Sequence, residues 1–74
     1  MDRVLERVKI VSDPDVMGGE PCIQGTRIPA EKIIINLKAG FSVEEILEAY
    51  PTIPPGGIKA AIVWAEAKRI DWRR

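Results

Sequence analysis

Few residues in this 74-residue chain are of types that could do catalytic chemistry. It has no histidine and a single cysteine, Cys22, which excludes Ser–His and Cys–His nucleophilic arrangements. The same shortage excludes an intrachain disulfide and a tetrahedral zinc site from one chain. Glu44, Glu45 and Glu48 cluster, but such spacing is typical of the solvated face of a helix. The sequence contains no glycine-rich phosphate-binding motif. We therefore expect a protein that is not an enzyme and holds no cofactor or metal.

The clearest candidates for binding are basic residues near the C-terminal end. Overall, 11 Lys and Arg balance 11 Asp and Glu, so the chain lacks the basic field that attracts nucleic acid. Residues 1–67 carry a net charge of −3 and residues 68–74 a net charge of +3. The four cations of this tail could contact DNA phosphates, a partner protein, or only the negative end of a helix dipole. They are Lys68, Arg69, Arg73 and Arg74.

Chain length limits the architecture that can position these residues. We expect one domain, residues 1–74, which buries only about 60% of its unfolded surface. A core of this size gives little stability, so we expect association, most simply as a homodimer. The longest apolar run, Ala60 to Ala65, is too short to span a membrane. The N-terminus lacks the apolar segment of a signal peptide, and with a lone thiol this indicates the cytoplasm.

Periodicity predicts a short β-hairpin over about residues 7–25, followed by three helices over about residues 29–70. Pro29 and Gly40 bound the first helix. A capping box of Ser42 and Glu45 starts the second, which stops at Pro51. Its apolar stripe comprises Val43, Ile46, Leu47 and Tyr50. We therefore predict a mainly α fold, with the three helices forming a helix-turn-helix-like unit of winged-helix or homeodomain type.

The third predicted helix, roughly Gly56 to Ile70, is apolar on two opposite sides at 100° per residue. One side, with Ile58, Ala61, Ile62 and Ala65, can pack on the other helices. The opposite side has no evident cover within so short a chain. We interpret it as a dimer or partner interface. It comprises Ala60, Val63, Trp64, Ala67 and Ile70.

The segment Gly18-Gly19-Glu20-Pro21-Cys22-Ile23-Gln24-Gly25-Thr26-Arg27-Ile28-Pro29 resembles the hallmark of a prokaryotic family known as domain of unknown function four-three-three. That family is regarded as VapB-type antitoxins. The resemblance continues through Ala39-Gly40, Ser42, Glu45-Ile46-Leu47, Tyr50-Pro51 and Ile58-Lys59-Ala60-Ala61, and covers about residues 8–67. The chain departs from the family at Pro54-Pro55-Gly56-Gly57, where a Thr or Ser cap is usual.

This resemblance implies an antitoxin of a type II toxin–antitoxin pair, which binds and neutralises a PIN-like nuclease toxin. It also implies that the complex binds its own operator DNA. Two alternatives remain: a stand-alone helix-turn-helix transcription regulator, and a dimeric interaction module that binds no DNA.

These interpretations give the candidate site residues. For the tail, toxin contact is slightly favoured, with Ile70, Trp72, Arg73 and Arg74 as anchors. DNA contacts would come from Arg27, Lys32, Asn36 and Lys59, since the outer side of the third helix is too apolar to read bases. For Arg27 a structural role is favoured, as an ion pair with Glu31 or hydrogen bonds to loop carbonyls.

Overall fold

The computed structural model describes residues 8–73 and begins with the predicted hairpin. Strand β1 (Ile10–Val11) pairs antiparallel with β2 (Cys22–Ile23), in the register Ile10 opposite Ile23 and Val11 opposite Cys22. The connection includes a 3-10 turn at Met17–Gly19. The predicted hairpin is therefore confirmed, with two residues in each strand.

The hallmark segment turns the chain from β2 into the first helix. Gly25 has φ +81°, a left-handed conformation that a side chain would strain. Thr26 then locks the turn, because its Oγ1 donates to the Ile23 carbonyl at 2.8 Å and accepts from the Ile28 N–H at 3.0 Å. As a result Ile28 is buried and Pro29 becomes the N-cap of α1 (Ala30–Lys38).

The first two helices begin and end close to the residues that the sequence indicates. Helix α1 ends in a Schellman motif: the Phe41 N–H donates to the Asn36 carbonyl, and that of Gly40 (φ +97°) to the Leu37 carbonyl. The capping box of α2 (Val43–Ala49) has both of its bonds. Glu45 N–H donates to Ser42 Oγ at 3.1 Å, and Ser42 N–H to Glu45 Oε1 at 2.8 Å.

Helix α3 spans Gly57–Ala67 and ends three residues before the predicted end at Ile70. Arg69 adopts φ +60°, and its N–H donates to the Glu66 carbonyl at 3.0 Å. The Ile70 N–H donates back to the Ala65 carbonyl at 2.8 Å. These bonds form a second Schellman motif, with an arginine where glycine is usual, so Ile70 lies beyond the helix.

The core lies where α1 packs across α3 and the hairpin closes one side. Ile23, Ile33 and Ile46 supply one fully buried side chain each from β2, α1 and α2. The predicted stripe of α2 is only partly correct, because Val43 and Leu47 remain exposed. The connection from Tyr50 to Gly56 separates α2 from α3, and the two helices leave a groove between them.

Candidate partner-binding surface

The two sides of α3 have very different exposure. Ile58, Ala61 and Ala65 are buried on the inner side. On the outer side Val63 is 54% exposed and Ala67 is exposed, while Ala60 and Trp64 are half-buried. No other element among residues 8–73 covers Val63. Within the described part of the chain, the outer side of α3 is therefore open to solvent at Val63 and Ala67 and partly covered at Ala60 and Trp64.

This outer side forms one wall of a groove of about 500 Å³. The opposite wall consists of Val8, Lys9 and Ile10, at the start of β1. Val8 and Ile10 contribute apolar side chains from the strand side. Two cations, Lys9 and Lys59, line the same groove. The Lys68 ammonium adds a third positive charge, 5.9 Å from the centre of the Trp64 ring. We call this feature the α3 groove: its floor is apolar and its charged groups are basic.

The C-terminal segment folds back on the domain. Trp72 is half-buried and packs against the core, and its Nε1–H donates to Glu66 Oε2 at 3.1 Å. The Arg73 guanidinium lies 4.8 Å from the centre of the Trp72 ring. These contacts present Arg73 near the end of α3. Arg74, also predicted to bind a partner, lies outside the described residues.

Asp71 ties the same segment to α1. Its Oδ2 lies 3.5 Å from Lys38 Nζ, and its Oδ1 accepts from the Arg73 N–H at 3.1 Å. The hydrogen bond from the Arg73 backbone, and next the charge of Lys38, lower the pKa of the Asp71 carboxyl. Because both side chains of the ion pair are exposed, it contributes little stability.

The predicted DNA-binding residues lie in three places. Lys32 and Asn36 share one face of α1, where Asn36 Nδ2 donates to the Lys32 carbonyl at 2.8 Å. Lys59 lies on α3, at the edge of the α3 groove. Arg27 lines a separate cavity, beside Asp13 and Thr52. The four residues therefore do not form one patch.

The structural role favoured for Arg27 is not observed. Among residues 8–73 its guanidinium makes no ion pair with Glu31 and no hydrogen bond to a loop carbonyl. The carbonyl of Ile23 is bonded by the Thr26 hydroxyl and N–H instead, and the exposed Arg27 lines the cavity. Within residues 8–73, no ion pair or hydrogen bond therefore holds the Arg27 guanidinium.

Cys22 lies in the wall of the cavity that Arg27 lines, and it is buried. Burial, and next the nearby Glu20 carboxylate, raise the pKa of its thiol. A raised pKa keeps the thiol protonated and unreactive near neutral pH, as in a packing residue.

Sequence reasoning missed a second apolar groove, of about 540 Å³, between α2 and α3. Leu47 (40% exposed) and Val43 (46% exposed) line its α2 side. Ile62 lines its α3 side, and Ile53 and Pro55 come from the connection. The helical periodicity of α2 placed Val43 and Leu47 on one apolar stripe but could not show whether another helix covers them. The sequence feature that marks the groove is Pro54-Pro55-Gly56-Gly57, in the connection between α2 and α3.

Two further features concern metal binding and membrane-spanning helices. No group of three or more Asp, Glu or Cys side chains within residues 8–73 is arranged to hold a metal ion. No helix in this range has the length and apolar character needed to cross a bilayer.

Comparison with known proteins places these features in one family. The family described as "Protein of unknown function (DUF433)" matches residues 10–65. Uncharacterized protein y4eO of Sinorhizobium fredii is 38% identical over 73 residues, which are 99% of this chain and 33% of that protein. A crystal structure of a DUF433 member from Anabaena variabilis has a TM-score of 0.71 at 26% identity. That match covers 92% of this chain and 65% of the solved one. This chain therefore spans about one third of the length of the curated relative.

Proposed function

This chain belongs to the DUF433 family, and on that premise we propose that it is an antitoxin: a binding protein, not an enzyme, that neutralises a PIN-like nuclease in the cytoplasm. The observation that carries the proposal is the exposed apolar outer side of α3, centred on Val63. The resemblance to VapB-type antitoxins supports the identity of the partner.

The chemistry of the α3 groove suits a nuclease of this kind. Covering Val63 and its small neighbours Ala60 and Ala67 removes apolar surface from water at about 25 cal/mol per Å². The alanines let a partner helix or loop approach the α3 backbone closely. Lys9 and Lys59 at the groove complement a partner whose active site is rich in carboxylates. Apolar burial supplies affinity, and the lysines supply orientation and a faster encounter.

The C-terminal segment extends this surface. Trp72 and Arg73 are residue types that dominate interface energetics, and the Trp72–Glu66 hydrogen bond holds them beside α3. In VapB-like antitoxins, C-terminal segments commonly place a basic side chain among the metal-binding carboxylates of the nuclease. Arg73 is the described residue that suits this role, with Arg74 following it in the sequence.

Co-expression with the product of the adjacent gene, which we expect to be a PIN-like nuclease, tests the proposal. The wild-type chain is expected to co-purify with that product and to abolish its ribonuclease activity. Val63→Glu places a carboxylate in the apolar contact, which costs at least about 2 kcal/mol, a loss of about 30-fold in affinity. The variant should fold, because Val63 is exposed and glutamate favours helix more than valine does.

The matched control is Ile35→Glu on the outward face of α1. Ile35 is 56% exposed, so the same charge is introduced at a site of equal exposure on another surface. It should co-purify with the nuclease as the wild-type does. Equal binding by Val63→Glu and the wild-type would contradict the assignment of α3. A wild-type chain that neither co-purifies nor silences the nuclease would contradict the function.

Operator binding belongs to the same proposal. Lys32 and Asn36 on α1, with Arg27 and Lys59, are the candidate contacts. A neutral net charge gives weak DNA binding by the free chain, so we expect the complex with the nuclease to bind more tightly. In gel-shift titrations of the promoter DNA, Lys32→Ala should reduce the slope of log affinity against log salt by about 1. An unchanged slope would remove Lys32 from the phosphate contacts.

A further inference from the structure

We propose that a second copy of this chain occupies the groove between α2 and α3. The 68–70 turn of the second copy would enter the groove of the first, with Ile70 against Leu47. Lys68 and Arg69 of that turn would face Glu44 and Glu48. A two-fold axis would repeat this contact, so each copy gives one turn and accepts one. The inference concerns a different surface from the α3 groove and does not depend on a nuclease partner.

The apolar part of the groove needs a partner of matching shape. Val43 and Leu47 expose nearly half of their surface above a floor that includes Ile53 and Ile62. Val43 lies inside the capping box and Leu47 follows it by two residues, so the hydrogen bonds between Ser42 and Glu45 fix the turn that carries them. The groove is therefore preformed by rigid elements, and filling it costs little reorganisation.

The charges beside the groove indicate the chemistry of a partner that would fit it. Glu44 and Glu48 are one helical turn apart on α2, next to Leu47, and both are exposed. Like charges at this spacing repel by about 0.2–0.5 kcal/mol. Helix α2 contains no basic residue, and the only ion pair among residues 8–73 joins Lys38 to Asp71. Lys59 is the cation of this groove and lies on its α3 side, so the α2 side favours an apolar group flanked by cations.

The 68–70 turn of the chain itself has this composition. Lys68 and Arg69 are exposed, and Ile70 is 38% exposed immediately after them. The Schellman bonds from Arg69 and Ile70 to the end of α3 hold the turn in one conformation. Within one molecule, no hydrogen bond or ion pair among residues 8–73 joins this turn to α2. Asp71 binds Lys38 of α1 instead, so the complementary groups are left to meet between two copies.

The opposite net charges of the two segments also favour self-association. Residues 1–67 carry −3 and residues 68–74 carry +3, so two copies related by a two-fold axis pair unlike segments twice. Such a dimer leaves Val63 on the outer side of α3 uncovered. The apolar residues that the sequence placed on one face of the third helix therefore contact different partners. Ile70 contacts the second copy, and Val63 is left for another protein.

A charge-swap experiment on the full chain tests this assignment. One variant, Glu44→Lys/Glu48→Lys, has a basic groove; the other, Lys68→Glu/Arg69→Glu, has an acidic turn. Each alone should be monomeric in sedimentation analysis, because both two-fold contacts then join like charges. Mixed together they should form a heterodimer, visible by native mass spectrometry, in which both contacts join unlike charges. All four positions are exposed, so both variants should keep the wild-type circular dichroism spectrum.

Leu47→Asp gives an independent test of the apolar contact, with Ile35→Asp as the control of similar exposure. The dimer dissociation constant should rise tenfold or more for Leu47→Asp and stay unchanged for Ile35→Asp. The wild-type dimer should also weaken between about 0.1 M and about 1 M salt, where the Debye length falls from about 10 to about 3 Å.

Three outcomes would overturn the proposal: a wild-type chain that is monomeric at every concentration, swap variants that each dimerise like the wild-type, or a mixture that does not associate. A monomeric wild-type chain would leave the groove to a different protein. Val63→Glu separates this test from that of nuclease binding, because it should lose the nuclease and keep the dimer.

Discussion

Gly57 is the residue at which the position of α3 can be tested most quantitatively. It is the first residue of α3 and it is buried. A Cβ atom added there would lie 2.6 Å from Cγ2 of Ile53, 3.3 Å from Cγ2 of Ile23 and 3.4 Å from Cδ of Pro54. The first distance is far below van der Waals contact, and Ile53 is itself a core residue that cannot swing away. We predict that Gly57→Ala destabilises the domain.

The magnitude follows from two opposing effects. Overpacking one methyl group into a well-packed core costs about 1–3 kcal/mol. Replacing glycine by alanine inside a helix returns about 0.5–1 kcal/mol. The net effect is a loss of about 1–2 kcal/mol in the free energy of unfolding. For a domain of this size each kcal/mol lowers Tm by about 4–8 °C.

Urea denaturation followed by the fluorescence of Trp64 and Trp72 measures this loss. The companion variant is Ile53→Leu, which removes the Cγ2 methyl group that the new Cβ meets. In a double-mutant cycle, Gly57→Ala should cost less in the Ile53→Leu background than in the wild-type. A Gly57→Ala chain as stable as the wild-type would refute the close approach of α3 to Ile53. Additive effects of the two substitutions would refute this explanation of the loss.

Three further substitutions test the helix ends and the tail. Ser42→Ala removes the capping bond to Glu45 and should lower the free energy of unfolding by about 1 kcal/mol, measured as a shift of the urea midpoint at constant m-value. Arg69→Gly relieves a left-handed side-chain conformation and should raise thermal stability by about 1 kcal/mol; an unchanged Tm would argue against φ +60° at this position. The pKa of Asp71 is lowered in the folded chain, so its contribution is present above the unfolded pKa of about 4 and is lost as pH falls through the folded pKa. The wild-type chain should therefore slightly exceed Asp71→Asn in stability at neutral pH, and the difference should vanish in acid; a constant difference would contradict the stabilisation of the ionised carboxylate by the Arg73 N–H and Lys38.

Local chemistry explains why the helix starts were predictable. Pro29 and the capping pair Ser42 and Glu45 act on backbone groups within three residues of themselves, so sequence spacing is sufficient to recognise them. Gly40 likewise ends α1 through bonds within one turn. The burial of Ile33 follows from helical periodicity, because α1 has one apolar side, which packs mainly against α3.

The features that the sequence did not predict depend on contacts for which sequence spacing gives no rule. Val43 and Leu47 have the spacing of core residues, yet only the path of the 50–56 connection decides whether α3 covers them. Arg69 has a side chain that disfavours φ > 0, so nothing local marks it as the end of α3. Trp72 was predicted as a partner anchor, but its position depends on Glu66 of α3, to which it is hydrogen-bonded.

Only one wall of the candidate site could be predicted from the sequence. The apolar outer side of α3 follows from helical periodicity, and the exposure of Val63 agrees with it. The opposite wall of the α3 groove comes from Val8 and Ile10, about 50 residues earlier in the sequence. No spacing rule joins these two segments, so the lysines that flank the groove could not be grouped from the sequence.

Nuclear magnetic resonance can map the surface that binds the nuclease on the chain itself. Amide chemical shifts of the ¹⁵N-labelled chain would be measured alone and with a catalytically inactive variant of the PIN-like nuclease. We predict that the largest changes fall on the outer side of α3 and along the opposite wall of its groove, at Ala60, Val63, Ala67 and Lys9. Changes confined to α1 and α2, or an unchanged spectrum at saturating nuclease, would refute binding through α3.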